Sequence, residues 1–373
     1  MSATRWFPVG GDEVALLRDG VEAFPPMLQA IEDAAYEVLL EMYWVGPDRC
    51  GLRFLDALVG AAKRGVRVIV VYDAFGSMSL MPEFWSPLVL AGGEVRAFHA
   101  IFGSTVPALT RDIVERRDHR KLLVVDGRLA FTGGINLARE WLAVDDAGDG
   151  WRDDMITVRG EAVQELRTLF YDTWKKMGGT EIPKDLRQLR RRRTRRVWVL
   201  ANSWRKRRDV RREYLHRITH AKHRIDIANS YFVPDRSVRG ALIRAADQGV
   251  RVRVLVPEKG DVPIVQYAVE ALFDTLLGHG IEVYTLPDRI MHAKTAIIDD
   301  AFVTIGSYNL DARSWKNLEL NLAVEDEDFT RHVRQWFDHD CASATRIELG
   351  GWRKRPATRR AIEWIAYGLR KLW

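Results

Sequence analysis

The sequence predicts an α/β protein built from two homologous α/β/α sandwich halves, related by a pseudo-twofold axis and sharing one site at their interface. Three observations predict it. An eighteen-residue signature occurs twice: His119, Lys121, Asp126, Gly133, Gly134 and Asn136, then His292, Lys294, Asp299, Gly306, Ser307 and Asn309 at the same offsets. Upstream of each copy the same order of segments recurs. Helical patterns alternate throughout with short β-branched runs. A single His-x-Lys pair arises by chance in many chains, whereas two copies in matched spacing do not. Two equivalent surfaces in one chain are the intramolecular form of a symmetric dimer, where a patch meets its own copy.

Taken in order, residues 1–24 read as an N-terminal extension. Asp12, Glu13 and Arg18 stand where a signal peptide needs an apolar run. Residues 25–177 form the first half. Ile31–Ala35 close a helix, Val38–Tyr43 make a strand, and Ala61–Val68 turn from helix to strand. Glu94–Phe98 is a strand, and Lys121–Val125 and Leu129–Thr132 are two more, joined at the Asp126-Gly127 turn. Residues 178–212 read as a linker, where the repeat lapses and arginines crowd (Arg190–Arg193, Arg195, Arg196, Arg205–Arg208 with Lys206). Such a run is either a solvated face or an anion-surface contact.

Residues 213–345 repeat the plan. Ile218–Lys222 close a helix, Ile225–Tyr231 make a strand, and Ala245–Val252 echo Ala61–Val68. Ile281–Thr285 and Thr295–Ile298 are strands, with a turn at Asp299-Asp300. Tyr43–Asp48 is echoed by Tyr231–Asp235. Residues 346–373 are a basic amphipathic tail. Ile362, Ile365, Leu369, Leu372 and Trp373 fall on one side of its helical wheel; Arg359, Arg360, Glu363, Arg370 and Lys371 fall on the other. A helix of this kind either lies in an anionic lipid interface or packs on its own protein.

The chain of 373 residues, 47% hydrophobic and 29% charged, has a soluble globular balance. No stretch approaches a membrane span: residues 74–93 come nearest, and Pro82, Glu83 and Pro87 interrupt them. The formal charge of +6 points to an anionic partner, nucleic acid or a phospholipid surface. Cys50 and Cys341 are too few and too far apart for a disulfide framework, which fits a reducing compartment. His216, His220 and His223 have helical spacing but no carboxylate or thiolate nearby, and Asp145, Asp146 and Asp149 fit no calcium loop, so no metal is expected.

The signature carries the chemistry. Alternate side chains of a strand share a face, so His119 points with Lys121 and His292 with Lys294. The glycine pair lets backbone approach a ligand. Lys121, Lys294, Asn136 and Asn309 would donate to phosphate oxygens, stabilising the extra charge of five-coordinate phosphorus as an oxyanion hole does. An imidazole titrates near about pH 6.5, so one histidine can attack phosphorus while the other protonates the departing alkoxide. Each needs an acid to fix its tautomer, and Asp153 and Glu319 are the matched choices, with Asp154 competing for the first. Asp126 and Asp299 belong to the catalytic signature, and their place reads as that of turn-formers.

The doubled His-x-Lys-x4-Asp-x6-Gly-Gly/Ser-x-Asn pattern resembles the phospholipase D superfamily. Arg117–Lys121, Gly133–Asn136, Tyr231–Asp235, Gly249–Val252, Gly306–Ser314 and Asn317-x-Glu319 resemble bacterial cardiolipin synthases more narrowly. The resemblance covers residues 25–345. It implies a metal-free, cofactor-free transfer through a phosphohistidine, with His119 as nucleophile, Glu319 serving His119 and Asp153 serving His292. It also implies an anionic phospholipid membrane as partner, phosphatidylglycerol as substrate and glycerol as the released product. On this reading nucleic acid is not a partner, and the oligomeric state is left open. The expected location is peripheral, on the cytoplasmic face of the cell membrane, as in the shorter subgroup without N-terminal transmembrane helices. Hydrolysis to phosphatidic acid is the alternative reaction, and nuclease activity a more remote one.

Overall fold

In the computed structural model the described residues are 4–99, 116–184, 186, 195–203 and 209–370. Sixteen strands form two eight-stranded sheets. In chain order the first sheet holds β1 (Phe7–Val9), β2 (Asp12–Arg18), β3 (Glu37–Met42), β4 (Arg67–Asp73), β5 (Glu94–Phe98), β6 (Lys121–Val125), β7 (Leu129–Gly133) and β8 (Asp154–Gly160). The second holds β9 (Val197–Asn202), β10 (Arg224–Asn229), β11 (Arg251–Pro257), β12 (Glu282–Leu286), β13 (Lys294–Ile298), β14 (Phe302–Gly306), β15 (Glu319–Glu325) and β16 (Thr345–Arg346). The spatial orders are β1-β2-β8-β7-β6-β3-β4-β5 and β16-β12-β11-β10-β13-β14-β15-β9. The run β8-β7-β6-β3-β4-β5 thus matches β15-β14-β13-β10-β11-β12, which is the duplication made visible.

The signature strands are buried on both faces, so their apolar runs are continuous rather than alternating. Leu122 and Val124 of β6 enter a central core, while Leu123 and Val125 enter an outer one. Ile297 of β13 joins the same central core, and Ala296 and Ile298 face the second half's outer layer. Helices Glu161–Lys176 and Glu327–Ser343 supply the central core between the sheets, with Leu166, Phe170, Phe329 and Phe337 among its members. The layers therefore run helices, sheet, shared core, sheet, helices.

The echoed segments have local physical reasons. Asp48 caps helix Arg49–Lys63 through Cys50 N (2.8 Å) and Gly51 N (3.3 Å). Asp235 does the same for Arg236–Asp247 through Ser237 N (2.7 Å) and Val238 N (3.3 Å). Each helix then closes on a left-handed glycine, Gly65 (φ 86°) or Gly249 (φ 89°), before the next parallel strand.

Two strands come from unexpected places. β2, in the segment read as an N-terminal extension, pairs with β8, and β9, in the segment read as a basic linker, pairs with β15. Each half is thus completed by a strand that precedes its first helix. Within the arginine-rich segment, Arg195 pairs with Glu161 (3.1 Å) and Glu165, and Arg196 lies 3.8 Å from Asp326. Both serve the fold. Arg190–Arg193 and Arg205–Arg208, which carry the anion-surface reading, lie outside the described residues, as do Lys371, Leu372 and Trp373 of the tail. Among the described residues no helix is long and apolar enough to cross a membrane. Cys50 and Cys341 are buried and unpaired.

Candidate active site

β6 runs antiparallel to β3 and β13 to β10, so the signature strands start where the central parallel strands end: Lys121 lies opposite Met42, and Lys294 opposite Asn229. His119 and His292 sit just before these starts. Neither is left to one half. The N–H of His119 donates to Leu318 O (3.0 Å), and Leu318 N donates back to Arg117 O (2.9 Å). The N–H of His292 donates to Arg152 O (2.7 Å), and Arg152 N donates to Ile290 O (2.9 Å). Two short parallel bridges therefore stitch the halves together, each one residue before an acid.

Those acids meet the opposite half's imidazoles. Glu319 Oε2 lies 3.1 Å from His119 Nδ1, and Asp153 Oδ2 lies 2.9 Å from His292 Nδ1. An ionised carboxylate only accepts, so each pair favours a proton on Nδ1 and leaves Nε2 for chemistry. The lysines stand beside the histidines. Lys121 Nζ donates to His119 O (2.6 Å) and lies 4.8 Å from the Tyr43 ring centre. Lys294 Nζ donates to Ser230 Oγ (3.0 Å) and to His292 O, and lies 3.0 Å from His292 Nδ1. The amide oxygens of Asn136 and Asn309 accept from Trp44 N (3.2 Å) and Ser230 Oγ (3.0 Å), which turns each NH2 away from these partners.

The site is buried, and its electrostatics follow from that. Burial, reinforced by Lys121 and Lys294, holds His119 well below the usual imidazole range. Burial and the same two lysines do likewise for His292, although Asp261 pulls the other way. Each imidazole thus responds to the other half's lysine. Burial pushes Lys121 down to about 7 and Lys294 to about 8, against the pull of Glu319 and Asp153. It pushes Asp153 up to about 7 and Glu319 to about 8. Asp154 goes the other way: burial raises it, but Arg152 at 2.5 Å, the Thr295 hydroxyl and Arg18 together outweigh that and hold it below the usual carboxylate range. Asp154 also accepts from Thr295 Oγ1 (2.6 Å), so it belongs to the scaffold, and Asp153 is the acid beside His292.

Asp126 and Asp299, grouped with the catalytic signature, lie at the far ends of β6 and β13 from the imidazoles. Both are left-handed (φ 52° and 51°). Asp126 accepts from the N–H groups of Ala35, Tyr36 and Glu37 (2.9, 2.7 and 2.9 Å), and Asp299 from those of Lys222, His223 and Arg224 (3.0, 2.8 and 3.1 Å). They pin the turn after each signature strand to the start of its neighbour. The glycines also do something other than admit a ligand. A Cβ on Gly133 or Gly306 would overlap the backbone of β8 or β15, so these residues let the acid-bearing segments close in. A Cβ on Gly134 would overlap the Asp153 carboxylate.

Further residues support these pairs, and Trp141 and Asp340 among them carry no sequence signal of their own. Trp141 Nε1–H donates to Asp153 Oδ2 (3.0 Å), and its ring meets that of His292 edge-on at 5.3 Å. Trp151 and Tyr231 complete an aromatic box around His292, at 5.8 and 6.4 Å. His119 has Tyr43 at 4.7 Å instead. Ser307 Oγ donates to Glu319 Oε2 and accepts from Leu320 N (3.0 Å). Below Asp153, Arg152 is held by Asp340 of the other half (2.6 and 2.9 Å), which Arg18 also reaches at 2.5 Å. An aspartate that grips arginines 188 and 322 residues away in the chain cannot be singled out from spacing.

Two α/β halves, each with a His-Lys pair at the end of its sheet and each lending an acid to the other's histidine, define a phospholipase D-like protein. The family described as "Cardiolipin synthase, PLD-like domain" matches residues 27–174 and 214–341. Cardiolipin synthase 2 of Bacillus anthracis is 33% identical over 360 residues, covering 94% of this chain and 69% of that protein. The cardiolipin synthase of Alkalihalophilus pseudofirmus is 34% identical over 359 residues, covering 94% and 70%. The chain belongs to the cardiolipin synthase family of phospholipase D-type phosphatidyltransferases, and it is an enzyme of that type. Among solved structures, phosphatidylserine synthase of Haemophilus influenzae Rd KW20 superposes with a TM-score of 0.74, covering 100% of this chain and 98% of that one at 14% identity. Polyphosphate kinase of Porphyromonas gingivalis reaches 0.59 over 96% of this chain and 53% of that one, at 16% identity. At these identities the likeness is one of fold.

Proposed function

We propose that the protein joins two phosphatidylglycerol molecules into cardiolipin and releases glycerol, through a phosphohistidine on His119. Nε2 of neutral His119 attacks phosphorus; the bond to the glycerol headgroup breaks, and protonated His292 gives its Nε2 proton to the leaving oxygen. His292 then takes the proton from a headgroup hydroxyl of the second phosphatidylglycerol, whose oxygen attacks the phosphohistidine and restores His119. Lys121, Lys294 and the NH2 groups of Asn136 and Asn309 would donate to the non-bridging oxygens. Asp153 and Glu319 hold the imidazoles. The reaction so written calls on no metal or cofactor.

The observation that carries this reading is the crossed pairing: Glu319 with His119 at 3.1 Å and Asp153 with His292 at 2.9 Å, two lysines beside them. Burial keeps the imidazoles neutral, as a nucleophile requires, and the arriving phosphodiester brings the negative charge that favours charged lysines and one protonated imidazole. The substrate would be met at the cytoplasmic face of the cell membrane by a peripheral protein, with nucleic acid left aside. Two buried, unpaired cysteines fit that reducing side. Incubation with phosphatidylglycerol vesicles tests the reaction: cardiolipin and glycerol should appear in equal amounts. Phosphatidic acid as the main product, or cleavage of single-stranded DNA in its place, would replace it with hydrolysis or nuclease chemistry.

A further inference from the structure

Helix Ala357–Gly368 docks without using its most apolar side. It packs against helix Pro263–Glu270, and what it buries is Glu363 together with Ala366 and Tyr367. Glu363 is only 2% exposed and accepts from Arg355 Nη2 (3.0 Å), with Arg359 3.4 Å away. Arg359 also reaches Glu270 (2.8 Å), and Arg239 donates to the Tyr367 hydroxyl (2.6 Å). The apolar side is left outward, with Ile362 48%, Trp364 53% and Ile365 64% exposed. Burying charge while leaving isoleucine and tryptophan outside inverts the usual economy of a docked helix. The apolar side is therefore kept for something else.

Its place on the molecule says what. The site lies at the end of the sheets where β4 and β11 finish, and the loops that leave those strands flank it from the two halves. After β11, Asp261 accepts from the Tyr231 hydroxyl (2.6 Å) beside His292, and Val262 and Ile264 are each 37% exposed at the start of the helix that carries the C-terminal one. After β4, Phe75 lies 5.3 Å from the guanidinium of Arg117, just before His119, and Met78 and Met81 are 65% and 69% exposed. Exposed lysine and arginine accompany them, at Lys259, Arg313, Lys354 and Arg360.

We propose that the β4 loop, the β11 loop and the outer side of helix Ala357–Gly368 form one docking rim that sits in the interface of an anionic phospholipid bilayer and brings the cleft onto the lipid headgroups. Apolar tips among cations are the pattern that inserts shallowly while its charges meet anionic headgroups. A bilayer is the fitting occupant because the rim brackets the cleft from both halves, and a second copy seated there would close it. The inference rests on the lipid reading of the site, and two arms separate them. Ile362→Glu with Ile365→Glu, and separately Met78→Glu with Met81→Glu, are measured for binding to phosphatidylglycerol vesicles, for turnover of phosphatidylglycerol in detergent micelles, and for sedimentation. Each double variant should bind vesicles roughly tenfold or more weakly, with micellar turnover and sedimentation as in the parent. Unchanged vesicle binding overturns the rim, and so does a variant that sediments as a smaller species, which would show a second copy covering this side. Weakened vesicle binding in a protein whose parent turns over no phosphatidylglycerol would uphold the rim and refute the proposed reaction.

Discussion

The indole N–H of Trp141 donates to Asp153 at 3.0 Å, on the same carboxylate oxygen that faces His292 Nδ1. Its counterpart in the other half is not an aromatic residue but the hydroxyl of Ser307, which donates to Glu319 beside His119. The two acid-histidine pairs are thus alike in geometry and different in what steadies the acid. Trp141→Phe keeps an aromatic ring, though a smaller one, and removes the donor. A hydrogen bond to a charged group contributes about 1.5–3 kcal/mol, so kcat should fall roughly ten- to a hundredfold with KM little changed. Steady-state kinetics on the folded variant, checked by circular dichroism, decide it; kcat within twofold of the parent would remove Trp141 from the positioning of His292.

Exchanging the one unlike position between the signatures should hurt unequally. Ser307→Gly removes a hydroxyl and leaves space, so kcat should drop by about tenfold. Gly134→Ser forces a Cβ into the Asp153 carboxylate and should cost at least about a hundredfold. Equal losses in the two variants would show that the difference between Gly134 and Ser307 has no bearing on the acids.

The pH profile of kcat/KM should be a narrow bell. Asp153 and Glu319, raised to about 7 and 8, must lose their protons to hold their imidazoles, so activity rises with pH through that range. Lys121 and Lys294, lowered to about 7 and 8, must keep theirs to hold phosphate, so activity falls as pH climbs past them. Both limbs therefore move inward from the ordinary carboxylate and lysine values of about 4 and 10. Limbs found at those ordinary values would mean a site open to water.

Asp126→Ala and Asp299→Ala should damage stability rather than chemistry. Each removes a carboxylate that accepts from three backbone N–H groups, at a cost of about 1–3 kcal/mol. Urea midpoints should fall while kcat per folded molecule stays near the parent's. A collapse of kcat at full stability would return these aspartates to the catalytic group.

Much of the fold was legible because duplication turns weak local signals into paired ones. The strands at Glu94–Phe98 and Lys121–Val125 coincide with their expected bounds, and the apolar run of the second ends on the Asp126-Gly127 turn. β2 and β9 were hidden for opposite reasons: Asp12-Glu13 opens one with charge, and an arginine run precedes the other, although Val197–Leu200 is as apolar as any core strand. At the site, spacing brought out residues that recur in both halves. Trp141, Ser230 and Asp340 do not recur, and they act through contacts between segments far apart in the chain, which no local pattern records. The tail was legible as two-sided; which side would dock was not, because the ion pairs of Arg355 and Arg359 with Glu270 that help decide it reach a helix some ninety residues away.

The relay between His119 and His292 is tested most directly by trapping its intermediate. A phosphatidyl ester with a p-nitrophenol leaving group needs no proton from His292 to depart, whereas the second step still needs its base. With 32P in that substrate, His292→Ala should accumulate an acid-labile label on the protein within one turnover, mapped by mass spectrometry to His119, and His119→Ala should show none. Label on any other residue, or a burst of p-nitrophenol with no label on the protein, would contradict the account.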